Sequence, residues 1–287
     1  MRDLNEDTVT DEVLRAVSKT PDPRVREVSE ALIRHLHAFV REVEPTQAEW
    51  EFGIGFLTRV GGMCSDVRQE FILLSDTLGV SMLVDTINHR KPEGATETTV
   101  FGPFFVESRP ELPLGGNMSE GVAGTPMFVS GVVRDISGNP LAGAVVDSWH
   151  SDDEGFYDVQ RRPELKMRAR FRTDDQGRFW FWSVRPKYYP IPNDGPVGQM
   201  LEAQGRHPYR PEHVHFMIGA DGQETLVTHV FIDEDPYLDS DVVFGVKNSL
   251  ITSYRECQPG VAPDGSTLAV PYLALEYDFV LAPAAKP

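Results

Sequence analysis

Cysteines are few in this 287-residue sequence, and long apolar runs and an excess of basic charge are missing. Cys64 and Cys257 lie far apart and form no CxxC pair, so free thiols in a reducing cytoplasm are expected. No apolar run approaches the roughly 20 residues that span a bilayer, and the acidic first segment lacks the apolar stretch of a signal peptide. The net charge of -17 argues against nucleic acid or an anionic membrane as a partner.

The short motifs of several large enzyme classes are missing as well. The sequence contains no GxGxxG, Walker A, GxSxG or HExxH motif, so nothing indicates a dinucleotide fold, a P-loop, a nucleophile elbow or a zincin. The densest group of cations lies within residues 161–172. We interpret this group as a solvated strand edge or loop.

Residues 1–92 have the periodicity of helices, and we predict a helical domain there. Asp22 is a predicted N-cap, and Thr46 with Glu49 matches a capping box. A third apolar helix is predicted over residues 71–87. Three such helices form a small bundle or offer an apolar face to a partner.

The sequence pattern changes after residue 92. Residues 93–125 are a predicted connector rich in glycine and proline, whose apolar segment TVFGPFFVES should pack against other residues. Over residues 126–287, short segments such as MFVSGVVRD, RFWFWSV and HVHFMIG are separated by turn residues. This pattern is typical of an antiparallel β-sandwich, so we predict an α+β chain that is mainly β.

The strongest chemical signal is the pair His213 and His215. Residues two apart on a strand point to the same face, so the two imidazoles can converge on one metal ion. The pair also fits a polar strand face, and a zinc or iron(II) site completed by Glu212 or Asp233 is another alternative. A structural role is favoured for the other early and mid-chain histidines, which are His35, His37, His89, His150 and His207.

Two tyrosines precede the histidine pair, Tyr157 in the segment GFYD and Tyr189 in the segment KYYP. A phenol has an ordinary pKa near 10, so only a strongly Lewis-acidic ion would bind it as a phenolate near neutral pH. Two phenolates would favour iron(III) over iron(II). On the residues alone, a core or turn role is the simpler interpretation of each tyrosine.

Tyr157, Tyr189, His213 and His215 together resemble the ligand set of the intradiol ring-cleaving dioxygenases, in the same order and with similar spacing. The motifs GFYD, YYPIPNDGPVGQML and GRHPYRPEHVHF are similar too, as are FILLSDTLGVSMLVDTIN and TVFGPFFVES nearer the N-terminus. The resemblance covers nearly the whole chain. It is strongest to the family members that act on hydroxyquinol, followed by those that act on chlorocatechol and catechol.

This resemblance implies a β-sandwich with one Fe(3+) per subunit, and an N-terminal helical linker that forms a homodimer and can enclose a phospholipid. It implies that Tyr157 and His213 stay bound to the iron, while Tyr189 and His215 are axial and Tyr189 leaves when substrate binds. Arg210 matches the family's arginine over the substrate ring, where its charge would stabilise carbanion character. A purely structural ion pair is the alternative for Arg210.

The resemblance also implies a substrate pocket with Asp76 at its edge. The positions that match the family's pocket are Leu73, Asp76, Val100, Phe101, Gly102, Pro103, Phe104, Ile191, Pro192, Arg210 and Val243. The Asp76 carboxylate could accept a hydrogen bond from a third ring hydroxyl, which favours hydroxyquinol over catechol. A local role on its helix is the alternative. His229 departs from the family pattern, since many catechol-cleaving members have glutamine there.

The expected reaction is the opening of a small aromatic diol by O2 between its two hydroxylated carbons. With hydroxyquinol the product would be 3-hydroxy-cis,cis-muconate, the enol form of maleylacetate, and catechol or chlorocatechol are the alternative substrates. A function of another class, a non-catalytic transthyretin-like binding module, is supported only by SGVVRDISGNPLAGAVVDSW and FRTDDQGRFWFWSV in the middle of the chain.

Overall fold

The computed structural model describes residues 3–65, 68–161 and 164–284, so Arg162 and Pro163 of the cation cluster lie outside the described residues. The chain divides into two compact units, Met1–Gly62 and Met63–Pro287. The predicted boundaries at residues 92 and 125, between the helical domain, the connector and the β-sandwich, stay a prediction. No helix in the described ranges is both long enough and apolar enough to cross a membrane.

Helices account for most of the described N-terminal residues, as predicted. The described ranges contain helices α1 (Val9–Val17), α2 (Pro23–Val43), α3 (Gln47–Gly62), α4 (Glu70–Thr77), α5 (Val80–Asn88), α6 (Asp158–Arg161) and α7 (Pro196–Ala203). Helices α1 to α3 belong to the first unit, and the others belong to the second. Helix α1 has no counterpart in the sequence prediction.

The starts of α2 and α3 have the predicted caps. Asp22 accepts hydrogen bonds from the backbone N–H groups of Arg24 and Val25 at 2.8 and 2.9 Å. The Thr46 N–H donates to the Glu49 carboxylate at 2.8 Å, and the Glu49 N–H donates to the Thr46 hydroxyl at 3.3 Å. Each cap stabilises its helix by about 1 kcal/mol.

The single helix predicted over residues 71–87 is wrong, because the segment forms two helices. Gly79 separates α4 from α5 with a φ of 73°, a left-handed conformation that glycine adopts without strain. The N–H groups of Leu78 and Gly79 bond back to the carbonyls of Leu74 and Asp76, which closes α4. Asp76 therefore lies in the last turn of α4.

Short strands make up most of the second unit. They are β1 (Pro126–Asp135), β2 (Val145–Trp149), β3 (Arg168–Arg172), β4 (Arg178–Val184), β5 (Tyr189–Pro190), β6 (Tyr209–Arg210), β7 (His213–Gly219), β8 (Leu226–Ile232), β9 (Ile251–Thr252), β10 (Arg255–Cys257), β11 (Gly260–Val261), β12 (Thr267–Leu268), β13 (Tyr272–Glu276) and β14 (Phe279–Leu281).

Two five-stranded sheets dominate this unit. One has the order β10-β13-β1-β14, with β4 also paired to β1, and the other has the order β3-β2-β7-β8-β9. Most pairs are antiparallel, while β13 and β14 run parallel to β1, and β9 runs parallel to β8. The predicted α+β fold that is mainly β is confirmed, with sheets that are mixed.

The hydrophobic core lies between these two sheets. Phe179 and Phe181 of β4 meet Val146 of β2, Phe171 of β3 and Phe216 of β7 in one buried cluster. Fully burying such a side chain stabilises the fold by about 1.5–3 kcal/mol. Because side chains alternate along a strand, the residues between these core positions project from the outer face of the β3-β2-β7-β8 sheet.

Candidate metal centre

One row of side chains crosses the outer face of the β3-β2-β7-β8 sheet. Arg168, Trp149, His215 and His229 are direct neighbours in register across these four strands. The intervening residues of β7 pack in the core, so His213 and His215 share the outer face. This is the orientation that the strand periodicity predicts for the histidine pair.

The four predicted ligands come together at one point. The phenol oxygen of Tyr157 lies 2.7 Å from Nε2 of His215, 3.4 Å from Nε2 of His213 and 3.4 Å from the phenol oxygen of Tyr189. The two Nε2 atoms are 3.1 Å apart. Two donors that each lie about 2 Å from one ion are about 3 Å apart, so these distances fit a single metal ion.

Both histidines of the pair are held as neutral rings. Burial lowers the pKa of His213 and of His215 well below the ordinary value. Nδ1 of His213 lies 2.7 Å from the carbonyl of Pro211, so this nitrogen carries the proton and Nε2 has a free lone pair. Trp149 stacks on His215 with ring centroids 4.7 Å apart, which fixes the orientation of that ring.

The two phenols need a strong cation to ionise. Burial raises the pKa of Tyr157 well above its ordinary value, and the neighbouring Tyr189 raises it further. Burial also raises the pKa of Tyr189, although the charge of Arg210 opposes this. The protein alone therefore keeps both phenols protonated. Two phenols and two imidazoles are a donor set that fits a ferric ion, whose charge would favour bound phenolates.

His229 brings a third imidazole to the same place. It forms a group with the two histidines of β7 in which one nitrogen of each ring lies within 4.8 Å of the others, and no carboxylate of the described residues joins this group. Glu212 is instead paired with Arg185, and Asp233 is exposed. The arrangement disfavours the alternative of a site completed by one of these carboxylates.

Arg210 is held beside the tyrosines by Asp241. Its Nε and one terminal nitrogen donate to the two Asp241 oxygens at 3.1 and 3.2 Å, and that terminal nitrogen lies 3.4 Å from Nδ1 of His229. Burial by itself would lower the pKa of Arg210, but the charge and hydrogen bonds of Asp241 together with the two neighbouring tyrosines outweigh it, so the pKa is raised and the positive charge is permanent. Nothing in the sequence pattern indicated Asp241.

Besides Arg210, two residues of the predicted pocket lie against the centre. Phe104 stacks on Tyr157 with ring centroids 4.3 Å apart. Gly102 has a φ of +78°, and a Cβ atom there would lie 3.1 Å from Cε1 of His215. Any larger residue at this position would therefore strain the backbone and press on the histidine.

Asp76 lies at the end of α4 and is half-buried. Burial raises the pKa of its carboxyl group, while a hydrogen bond from Ser81 and the charge of Arg210 oppose this shift. The other predicted pocket residues differ in exposure: Leu73, Val100, Ile191 and Val243 are buried, Pro192 is partly buried, and Phe101 and Pro103 are exposed.

The interpretation of residues 161–172 as a solvated strand edge is only partly right, because Arg161 and Arg172 are exposed and β3 is an edge strand, whereas Arg168 and Arg170 form ion pairs with buried carboxylates. Arg168 is only 2% exposed and forms an ion pair with Asp158. Arg170 pairs with the buried carboxylate of Asp147. The interpretation missed these two pairs because Asp158 and Asp147 lie 10 and 23 residues from their arginines, so no short motif links them.

Comparison with known proteins agrees with this geometry. The family model described as Dioxygenase matches residues 101–283, and the model described as Catechol dioxygenase N terminus matches residues 22–96. Hydroxyquinol 1,2-dioxygenase of Nocardioides simplex is 50% identical over 97% of this chain and 96% of its own. The structure of hydroxyquinol 1,2-dioxygenase from Pseudomonas putida DLL-E4 has a TM-score of 0.93 and 49% identity, covering 97% of this chain and 99% of its own.

A more distant relative shares the same fold. The structure of catechol 1,2-dioxygenase from Pseudomonas arvilla C-1 has a TM-score of 0.82 and 30% identity, covering 98% of this chain and 92% of its own. The chain belongs to the intradiol ring-cleaving dioxygenases, a family of non-haem iron enzymes. A non-catalytic transthyretin-like module is therefore the wrong alternative.

Proposed function

We propose that the protein cleaves hydroxyquinol with O2 to 3-hydroxy-cis,cis-muconate, using one Fe(3+) per subunit. One carbon–carbon bond breaks between two hydroxylated carbons, and both oxygen atoms of O2 enter the product. The proposal depends on the convergence of Tyr157, Tyr189, His213 and His215 on one point. The bound ion would supply a Lewis acid that takes up the two adjacent substrate oxygens.

The four ligand residues are proposed to have different roles. Tyr157 and His213 would hold the ion throughout, and Tyr189 and His215 would complete its ligand set. Tyr189 would be the residue that yields its place to the substrate, and its phenol oxygen would accept one of the substrate's hydroxyl protons. Arg210 lies opposite Tyr189 across the β5–β6 pair, so its charge is placed to stabilise negative charge that develops on the ring.

Asp76 supports hydroxyquinol over catechol and chlorocatechol as the substrate. The half-buried carboxylate can accept a hydrogen bond from a third ring hydroxyl, and a substrate without that hydroxyl would leave it unpaired. Such a loss costs about 1–3 kcal/mol, which corresponds to roughly 5- to 150-fold in relative rate. The other predicted pocket residues are proposed to form the apolar slot for the ring.

Oxygen uptake tests this substrate assignment. Rates are compared for hydroxyquinol, catechol, 4-chlorocatechol and 3-methylcatechol, and we expect hydroxyquinol to be fastest. In Asp76→Asn the ratio of the hydroxyquinol rate to the catechol rate should fall, because the anionic acceptor is lost. Equal rates on all four substrates, or an unchanged ratio in the variant, would contradict the role of Asp76.

The colour of the purified protein tests the metal assignment separately. Iron(III) bound to phenolate absorbs strongly in the visible range, so protein with one iron per subunit should be deeply coloured. Metal analysis on the same sample gives the stoichiometry. A colourless protein that contains stoichiometric iron would overturn the proposal.

The subunits are proposed to form a homodimer through the N-terminal helices and to enclose a phospholipid there. Helices α2 and α3 leave large apolar side chains exposed, namely Val25, Val28, Leu32, Leu36, Phe39, Val40, Val43, Trp50, Phe52, Ile54 and Leu57. A surface this apolar usually contacts another molecule. Light scattering should give twice the subunit mass of 32.1 kDa, and solvent extraction followed by mass spectrometry should release phospholipid. The buried free thiol of Cys257 supports the proposed cytoplasmic location.

A further inference from the structure

Arg168 lies on β3, at one end of the row of side chains that crosses the outer face of the sheet and includes His215. It is 2% exposed, and its neighbour in the row is Trp149, which stacks on His215. Burying a guanidinium group costs free energy unless its N–H groups form hydrogen bonds. The contacts of Arg168 therefore indicate what this charge does beside the metal centre.

The first contact of Arg168 is with the residue that follows Tyr157. Nε of Arg168 donates to the Asp158 carboxylate at 2.6 Å, and a terminal nitrogen donates to the other carboxylate oxygen. The pair is bidentate and 2% and 1% exposed, so it is among the stronger kinds of charge-assisted hydrogen bond. Asp158 also accepts the backbone N–H of Lys166 at 3.0 Å, which ties the segment after Tyr157 back to β3.

The second contact of Arg168 is with the segment that lines the predicted pocket. Its remaining terminal nitrogen donates to the carbonyl oxygen of Phe104 at 3.1 Å. The ring of Phe104 stacks on Tyr157 and lies edge-on to Tyr189. One planar guanidinium thus holds both the side chain of Asp158, the residue after Tyr157, and the backbone of Phe104, whose ring packs on Tyr157.

We propose that Arg168 is a positioning residue that sets Tyr157 in register with the substrate pocket. The planar fork of an arginine can satisfy Asp158 and Phe104 at once, whereas a lysine ammonium cannot reproduce that geometry. Loss of the fork lets the phenol and the Phe104 segment move independently. The proposal rests on the proposed role of Tyr157 as an iron ligand.

Arg170 provides a matched control for this proposal. It lies two residues along the same strand, and it too forms an ion pair with a buried aspartate, Asp147. Asp147 keeps a second partner, Arg109, when Arg170 is changed. Arg170 has no described contact with Tyr157 or Phe104. The variant Arg170→Lys therefore removes an arginine from β3 but leaves intact the bridge that Arg168 forms between Asp158 and Phe104.

The experiment compares Arg168→Lys with Arg170→Lys in the iron-loaded protein. For Arg168→Lys we expect a shifted visible absorption maximum, faster loss of iron to a chelator, and a fall in kcat for hydroxyquinol of about 10- to 100-fold, the range seen when groups that support metal ligands are removed. Arg170→Lys should keep the wild-type absorption maximum, iron retention and kcat. A lower melting temperature alone, with these three quantities unchanged per bound iron, would overturn the proposal.

A double-mutant cycle tests the bridge that Arg168 forms between Asp158 and Phe104. Phe104→Leu removes the ring that stacks on Tyr157, so adding Arg168→Lys should shift the absorption maximum less than it does in the wild type. Additive shifts would refute the bridge. If Arg168→Lys does not fold, Asp158→Asn replaces it, since this change removes one arm and keeps the bond to Phe104.

The variant Tyr157→Phe distinguishes a failure of the ligand assignment from a failure of the positioning role of Arg168. If Tyr157→Phe keeps the visible band, the ligand assignment fails and the role of Arg168 fails with it. If Tyr157→Phe loses the band but Arg168→Lys matches the wild type in colour, iron retention and kcat, only the role of Arg168 is refuted.

Discussion

The segments that carry Tyr157 and Tyr189 reach the same point but are attached to the protein in different ways. Tyr157 is followed by Asp158, whose carboxylate is bound by the buried Arg168, and its own N–H donates to the Gln160 side chain at 2.8 Å. Tyr189 lies in β5, a strand of two residues whose partner strand β6 is equally short. The segment of Tyr157 is therefore held by charge-assisted hydrogen bonds, whereas the segment of Tyr189 is held by the pairing of two very short strands.

A hydrogen bond between loops also holds the segment before Tyr189. The Ser151 hydroxyl donates to the carbonyl of Lys187 at 3.0 Å. The carbonyl of Ser151 in turn accepts from Nδ1 of His150 at 2.6 Å, and Nε2 of His150 accepts from the Ser183 hydroxyl at 2.7 Å. These neutral bonds each contribute about 0.5–1.5 kcal/mol, less than a buried ion pair whose loss costs about 3–5 kcal/mol.

This difference in attachment matches the proposed difference in role. A ligand that holds the metal throughout gains from a rigid support, and a ligand that yields to substrate needs a backbone that can move. The strength of each support can be changed by single substitutions, so the comparison can be tested.

The largest effect is expected from removing the phenol oxygens one at a time. Tyr157→Phe should lose most of the visible colour and bind iron about 100-fold more weakly, because it removes the phenol oxygen that is proposed to hold the iron throughout. Tyr189→Phe should retain iron and much of the colour through the remaining three ligands. Absorption spectra and chelator competition measure both. Equal loss of iron in the two variants would contradict the assigned roles.

The next effect is expected at Asp241, which holds Arg210 opposite Tyr189. Asp241→Asn breaks a buried ion pair, so we expect the free energy of unfolding to fall by about 3 kcal/mol and kcat by about 100-fold. The visible band should persist, since Tyr157 and its support are untouched. The exposed Asp239 offers the control Asp239→Asn, which should match the wild type. Loss of colour in Asp241→Asn would show that the two segments are not independent.

An acid-dependent effect is expected through His150. Burial lowers the pKa of His150 to about 4, whereas an unfolded histidine has a pKa near 6.5. The unfolded chain therefore binds a proton that the folded protein does not, and stability falls as pH drops from about 6.5 to 4, by about 3 kcal/mol from this group. Urea unfolding across this range should show a shallower decline in His150→Gln. Parallel curves for the two proteins would exclude the contribution.

The smallest effect is expected from Ser151→Ala. Loss of the bond to the Lys187 carbonyl should cost about 1 kcal/mol of stability. Hydrogen exchange should accelerate around Tyr189 and stay unchanged around Tyr157. Ser137→Ala, in an exposed turn, is the control. Faster exchange around both tyrosines would mean that their supports are coupled.

Patterns local in sequence were enough to predict part of this site. Strand alternation placed His213 and His215 on one face, and capping residues located the starts of α2 and α3. The helix break at Gly79 was missed because the apolar periodicity continues through it. Pairing between distant residues, such as Arg210 with Asp241, has no local signature, so the residues that support the ligands became visible only in the folded chain.

The pairing of β1 has a consequence for how the protein is made. Val129 and Ser130 lie beside Leu275 and Glu276, and the end of β1 lies beside β14, so both parallel partners of β1 come from the last part of the described chain. During synthesis this edge of β1 stays open until residues 273–281 have left the ribosome. Contacts so distant in sequence form slowly, and an unpaired strand edge invites aggregation. A nascent chain that stalls before residue 273 should therefore depend on chaperones, even though every proposed iron ligand has already been synthesised.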